Sequence, residues 1–326
     1  MNARLPLSLL VPVLMILSLC PASPVRADDK GSTGEKSAKP EPTRDGRTLE
    51  EWIAALKERD TRDKAIKELG GFGAAAVPAL IREATAKNSY YRPDAIEALA
   101  EVGAPGIEAM INAVKAQPAA QPAVQYALAK TGRPAVPALI ELLKQKDEFL
   151  RAFAAITLGR MGPPAEDAVP VLVELINIKE SKENNQKKGG GYSGGTVVTI
   201  SPMVGGTYVA ALGGIGPKAK SAVPTLIEAA KEPVPMRLIA IDAIAGVGPE
   251  AAAAVPLLIG FLEDKDFPVR MQAARALAKI GPPAAKQAVP ALISRYKKEP
   301  LEEWRDPIGD ALKKIDAEAA AQAGIK

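Results

Sequence analysis

Apolar and polar positions along this chain recur with a period of about 30 residues. The copies read AVPAL at Ala76, Ala135 and Ala288, AVPVL at Ala168, AVPTL at Ala222 and AVPLL at Ala254, with a degenerate GIEAM at Gly106. Counted from the proline position (Pro78, Glu108, Pro137, Pro170, Pro224, Pro256, Pro290), apolar side chains fall at −1, +2, +3, +5 and +6. At about 100° per residue these share one side of a helix, and +4 and +7 project opposite. In the third copy the predicted buried set is Val136, Leu139, Ile140, Leu142 and Leu143. Proline is tolerated in the first turn, where its missing N–H has no helical partner.

A second column runs through Gly73, Gly103, Gly132, Gly162, Gly216, Gly248 and Gly281. The segments before it, such as ITLGRMGPP and RALAKIGPP, read as helices that end on a left-handed glycine, with proline beyond to prevent continuation. Each unit is therefore expected to be helix, tight turn, helix. One such pair cannot bury both its faces, so stability must come from stacking neighbours. Trp52 and Trp304 both lie in LEEW near the ends of the array, and are expected to close the terminal units.

DEFLRAFAAITLGRMGPPAEDAVPVLVELI (147–176) and DFPVRMQAARALAKIGPPAAKQAVPALI (266–293) carry a resemblance to the HEAT-repeat family, and within it to the short HEAT-like repeats of the phycobilisome-lyase type. The resemblance covers about residues 48–316. It implies an all-α, right-handed α-solenoid of about eight HEAT-like helix pairs, the last a single capping helix. As a guide to function it is weak, because such repeats serve many roles.

An arginine recurs eleven residues before the cap position, at Arg62, Arg92, Arg151, Arg237, Arg270 and Arg305, with Gln121 and Gly205 breaking the series. It could form an anion-binding ladder. The favoured reading is structural: each arginine lies along its helix and pairs with an acid of a neighbouring repeat. On the proline-led helices, +4 holds Arg82, Asn112, Glu141, Glu174, Glu228, Gly260 and Ser294, and +7 holds Thr85, Lys115, Lys144, Asn177, Lys231, Glu263 and Lys297. The resemblance implies that these helices line the concave surface, which would make the +4 column a binding stripe, acidic at its centre. The plainer alternative is a solvated face with i,i+3 pairs such as Glu141–Lys144 and Glu228–Lys231.

The spacing between proline positions jumps to 54 residues from Pro170 to Pro224, so about 22 residues are inserted. The insertion, 180–204, contains KKGGGYSGG, then a β-branched TVVTI that suggests a short hairpin over 196–207. A nucleotide-binding loop needs a lysine after its last glycine, whereas Lys187 and Lys188 precede the glycines. The remaining readings are a tolerated surface excursion or a recognition loop presenting Tyr192, Lys187 and Lys188.

The N-terminus changes the setting. Arg4 precedes an apolar run, Leu5 to Leu19, and VRA at 25–27 offers small residues for signal cleavage after Ala27. The run is short of the roughly 20 residues a membrane span needs, and Pro6 and Pro12 interrupt it. The alternative is a lipid anchor through Cys20, against which stands Leu19 where a small residue belongs. Residues 28–47 carry almost no apolar side chains and read as a disordered tether, with order expected from Thr48, whose spacing to Glu51 is that of a capping box. The protein is thus expected to be exported, periplasmic or extracellular, with no stable membrane insertion.

Without residues 1–27 the chain has 40 basic and 38 acidic residues, a balance that argues against nucleic acid as partner. It has no histidine, and its one cysteine, Cys20, lies in the leader. That removes His-based acid–base and metal chemistry and thiol chemistry, and no cofactor is expected. HEAT-like deoxyhypusine hydroxylases hold iron through His-Glu pairs, which this chain lacks. The expected function is a non-catalytic scaffold that binds a protein partner. The alternatives are an enzyme, lyase or polymer-modifying, built on carboxylates, or a purely structural envelope spacer.

Overall fold

The computed structural model describes residues 43–86, 92–177 and 202–325. Residues 1–42, which hold the expected leader and most of the expected tether, and Lys187, Lys188 and Tyr192 of the expected recognition loop lie outside these. The described chain from Thr43 on is an all-α solenoid of helices in two alternating rows.

The odd-numbered helices are α1 (Leu49–Ala55), α3 (Val77–Thr85), α5 (Ile107–Ala116), α7 (Val136–Leu143), α9 (169–177), α11 (Val223–Lys231), α13 (Val255–Phe261) and α15 (Val289–Lys298). The even-numbered ones are α2 (Arg62–Gly71), α4 (Arg92–Val102), α6 (Gln121–Thr131), α8 (Glu148–Met161), α10 (Pro202–Ile215), α12 (Met236–Val247), α14 (Phe267–Ile280) and α16 (Glu302–Ile315). A short α17 (Ala317–Gln322) closes the end, its first turn capped by the Asp316 side chain accepting from the Ala319 N–H at 3.0 Å.

Both predicted columns are present. Leu80, Met110, Leu139, Leu172, Leu226, Leu258 and Leu292, at +2 of the odd helices, are fully buried. So are Leu69, Leu99, Leu128, Leu158, Leu212, Ile244, Leu277 and Leu312 of the even helices, four residues before the cap position. Each such side chain stabilises the stack by roughly 1.5–3 kcal/mol. Of the third copy, Val136, Leu139, Leu142 and Leu143 are buried and Ile140 is half-buried.

The unit is differently framed from the expectation. Of the two odd helices that adjoin it in sequence, an even helix packs on the one before it, as in α3/α4, α7/α8, α11/α12 and α15/α16, and its other large contacts are with the even helices on either side. A period has no intrinsic starting point, and packing supplies one. The repeat is an odd helix, a short connection, then an even helix, giving eight pairs from α1/α2 to α15/α16. The insertion consequently falls inside the fifth pair, between α9 and α10. Residues 202–207 belong to α10 and not to a hairpin.

The cap glycines have positive φ as expected, but their ψ is not that of the left-handed helix. Gly103, Gly132, Gly162 and Gly248 lie at φ 60–75° and ψ −137° to −146°. That region is essentially closed to any residue with a Cβ.

The arginine column has a role beyond the expected ion pairs. Arg62, Arg92, Arg151, Arg270 and Arg305 each donate to the carbonyl six residues earlier, at Leu56, Ala86, Gln145, Asp264 and Glu299, over 2.7–3.3 Å. The side chain latches the start of the even helix to the carboxyl end of the odd helix, where carbonyls lack helical partners. Acids of a following pair are added at Arg62–Asp94 (3.3 Å), Arg237–Asp264 (2.9 Å) and Arg270–Glu299 (2.6 Å).

The two tryptophans close the ends. Trp52 is buried and donates its indole N–H to the Arg44 carbonyl at 2.9 Å, with the Arg47 guanidinium 4.9 Å from its ring. Trp304 stacks on Phe267 at 4.3 Å. Residues 43–47, assigned to the tether on composition, form a tight turn against Trp52, so order begins before Thr48. The capping box of Thr48 and Glu51 forms as expected.

Candidate functional site

Which row faces inward decides what a binding surface is made of. The even helices touch backbone to backbone along their row. A Cβ on Gly159 would lie 2.9 Å from the Ala211 Cα, and one on Gly213 2.5 Å from the Ala243 Cα. One on Gly246 would meet the Gly213 carbonyl oxygen. In the odd row, α5 and α7, or α11 and α13, barely meet. Two rows joined pair by pair with unequal spacing bend toward the closer row. The even helices therefore lie on the inside of the stack, and the expectation that the proline-led helices line the concave surface is corrected.

The +4 and +7 columns thus belong to the outer row. Arg82, Asn112, Glu141, Glu174 and Glu228 are exposed there, and Ser294 is half-buried. Glu141 pairs with Lys144 at 2.7 Å and Glu228 with Lys231 at 2.6 Å, the local pairs of a solvated face. Near α9 and α11 the outer row forms a hollow of about 400 Å³, lined by Asn177, Pro224, Thr225, Ile227 and Glu228.

On the inner row, two columns, exposed except at the half-buried Ile156, stand six and two residues before the cap position. The first runs Tyr126, Ile156, Ala210, Asp242, Arg275 and Asp310 from α6 to α16; the second runs Lys130, Arg160, Gly214, Gly246, Lys279 and Lys314. Neither column stands out in the sequence, because the first mixes aromatic, apolar, acidic and basic side chains and the second is interrupted by Gly214 and Gly246. Across α10 and α12 they enclose a groove of about 680 Å³, floored by Gly213, Gly214 and Gly246 and edged by Asp242 and Lys279. A second groove of about 340 Å³ adjoins it between α14 and α16, lined by Arg275, Lys279, Asp306, Asp310 and Lys314. Lys279 is common to both, so the two form one trough.

Displaced titrations lie away from that trough and have structural causes. Burial raises the Glu299 carboxyl, but hydrogen bonds from Arg270 and Arg295 outweigh it and hold the group below its ordinary value. Burial pushes the Tyr208 phenol up, against the pull of the Arg151 guanidinium. A hydrogen bond with Tyr126 and the charge of Glu97 raise Lys130, and Lys64 lowers Asp45. Among the described residues, no three acidic side chains gather as metal ligands would.

A family model described as HEAT repeats matches residues 107–184 and 223–313, together just over half of the chain. No curated protein matches it. Among solved structures, Kap121p superposes with a TM-score of 0.50 at 12% identity, over 82% of this chain and 33% of that one. An engineered protein gives 0.43 at 21% identity, over 85% and 82%. The CpcE–CpcF complex of phycocyanin lyase from Nostoc sp. PCC7120 gives 0.32 at 22% identity, over 86% and 99%.

Proposed function

The chain belongs to the HEAT-repeat family, and on that premise we propose that it is an exported, non-catalytic scaffold that binds a protein partner on the inner face of its solenoid. The observation that carries this is the open trough over α10–α16, backed by a rigid stack whose buried columns run without a break through the described pairs. Such a surface suits a partner that lies along it, because each repeat adds an equivalent increment of contact. The displaced titrations support a structural rather than catalytic economy, since each serves an ion pair or a packed ring.

Export rests on the leader-like N-terminus. The apolar stretch Met236–Phe261 does not compete with it as a membrane segment: it folds as α12, a turn and α13, with half of its most apolar window buried.

The test is chemical cross-linking and affinity capture from cell-envelope extract, with the purified chain and a variant lacking residues 182–200 as baits. Saturable capture of one protein by the chain is the expected result. Capture retained by the deletion variant assigns binding to the solenoid faces; capture lost assigns it to the insertion. Absence of any saturable partner contradicts the scaffold.

A further inference from the structure

Inside a pair, the two helices are held at their turn by a short connection and, in most pairs, by the arginine latch. Seven of the connections are three to six residues long. The fifth pair has neither tie: residues 178–201 separate α9 from α10, and Gly205 stands at the arginine position. On either side the turns are short again, Pro163–Ala168 leading from α8 to α9 and Gly216–Ala222 from α10 to α11. The array therefore falls into two blocks, α1–α9 and α10–α17, each joined by short connections throughout.

Polar ties between consecutive pairs also thin out at this boundary. Arg62, Arg237 and Arg270 each reach an acid of the following pair. Among the described residues Arg151, in the fourth pair, instead meets an acid of its own helix, Glu148 at 3.7 Å. Its Nε is buried without a hydrogen-bond partner, and so is the hydroxyl of Tyr208, which approaches it from the fifth pair. Lys218 joins Glu166 across the boundary at 3.1 Å, but both side chains are exposed, and such a surface pair contributes about 1 kcal/mol at most.

The blocks meet unequally in the two rows. In the inner row they touch backbone to backbone: a Cβ on Gly159 would lie 2.9 Å from the Ala211 Cα, and one on Gly214 would run into the Gly159 carbonyl. In the outer row the hollow of about 400 Å³ lies at α9 and α11. A close-packed seam on one side and free volume on the other leave rotation about the seam as the soft motion.

We propose that the fifth pair is a hinge: the two blocks rotate about the seam of α8 with α10, and the outer row widens and narrows at the hollow. The motion changes the curvature of the inner face and leaves the contact of α10 with α12 intact. It would let one solenoid fit partners of different girth, yet it is a property of the chain alone and does not rest on the scaffold reading.

The test is double electron–electron resonance between nitroxides on paired cysteines in the full chain, with its one cysteine removed as Cys20→Ser. Glu141→Cys/Glu228→Cys spans the fifth pair on the outer row. Arg82→Cys/Glu141→Cys spans as many helix steps inside the first block, and Arg160→Cys/Asp242→Cys spans the fifth pair on the inner row. All these side chains are exposed. The hinge predicts a distance distribution at least about twofold wider for Glu141→Cys/Glu228→Cys than for the other two. Removing residues 182–200 restores a connection of ordinary length and should narrow that distribution to the width of the control. Equal widths for the two outer pairs overturn the hinge. An inner pair as wide as the outer one overturns rotation about the seam. A width unchanged by the deletion removes the broken connection as its cause and overturns the proposal too. If the deletion variant does not fold, the three label pairs in the full chain still decide. Capture of a partner, or its absence, bears on the scaffold reading and leaves this outcome untouched.

Discussion

At the level of single residues, the cap glycines and Glu299 carry the sharpest consequences. Gly162 sits at φ 75°, ψ −142°, outside even the left-handed helical region that asparagine tolerates. Gly162→Asn should therefore destabilise as Gly162→Ala does, by about 1–3 kcal/mol each, read from urea unfolding. An asparagine variant as stable as wild type would mean an ordinary left-handed cap. The glycine column was legible in the sequence, but the conformation was not, since both cap types select the same residue. Glu299 is fully buried between Arg270 and Arg295. Its folded pKa is depressed, so its contribution is present above the unfolded value of about 4.3 and is lost as pH falls through the folded one. Glu299→Gln should be less stable at neutral pH and should show a shallower loss of stability in acid. A variant with wild-type acid sensitivity would remove Glu299 from that role.

Among the elements, the arginine latch explains a gap that the sequence displayed without a reason. Reaching the carbonyl six residues back requires a short connection between the two helices of a pair. The fifth pair has the insertion there, and the first turn of its even helix carries Gly205 where the others have arginine or, once, glutamine. Tyr208, three residues on, is fully buried where the other even helices carry alanine, valine or isoleucine. Latches should differ in strength by environment. Arg270 is buried and holds both two carbonyls and Glu299, whereas Arg92 is exposed and holds one carbonyl. Arg270→Met should cost about 3 kcal/mol because it leaves the buried Glu299 carboxylate with Arg295 as its remaining cation, and Arg92→Met about 1 kcal/mol. Equal costs in chemical denaturation would show that the ion pair adds nothing to the latch. Pair register was illegible from the columns alone, because a repeat identified by its period can be cut at either turn; the i to i−6 latch, internal to a pair, settles where it begins.

Across the whole solenoid, each pair is held mainly by its neighbours, so damage should spread by proximity. Trp304→Ala removes the stack on Phe267 and should raise amide exchange in α14 to α17 while leaving α2 to α6 protected. Uniform loss of protection along the array would contradict that picture. The number of pairs and both terminal tryptophans could be read from the chain. The inner face could not, because it is defined by backbone contact at Gly159, Gly213, Gly214 and Gly246 and by the absence of side chains there. The polar columns that drew attention instead, Arg82 to Ser294, belong to the outer row. The most direct measurement is therefore site-specific photo-crosslinking in envelope extract, with the reactive residue placed at Ala210 or Asp242 on the inner face and at Asn112, Glu141 or Glu174 on the outer. The account predicts one partner captured from the inner positions and none from the outer. Capture from the outer positions alone would contradict it and return the binding surface to the proline-led helices.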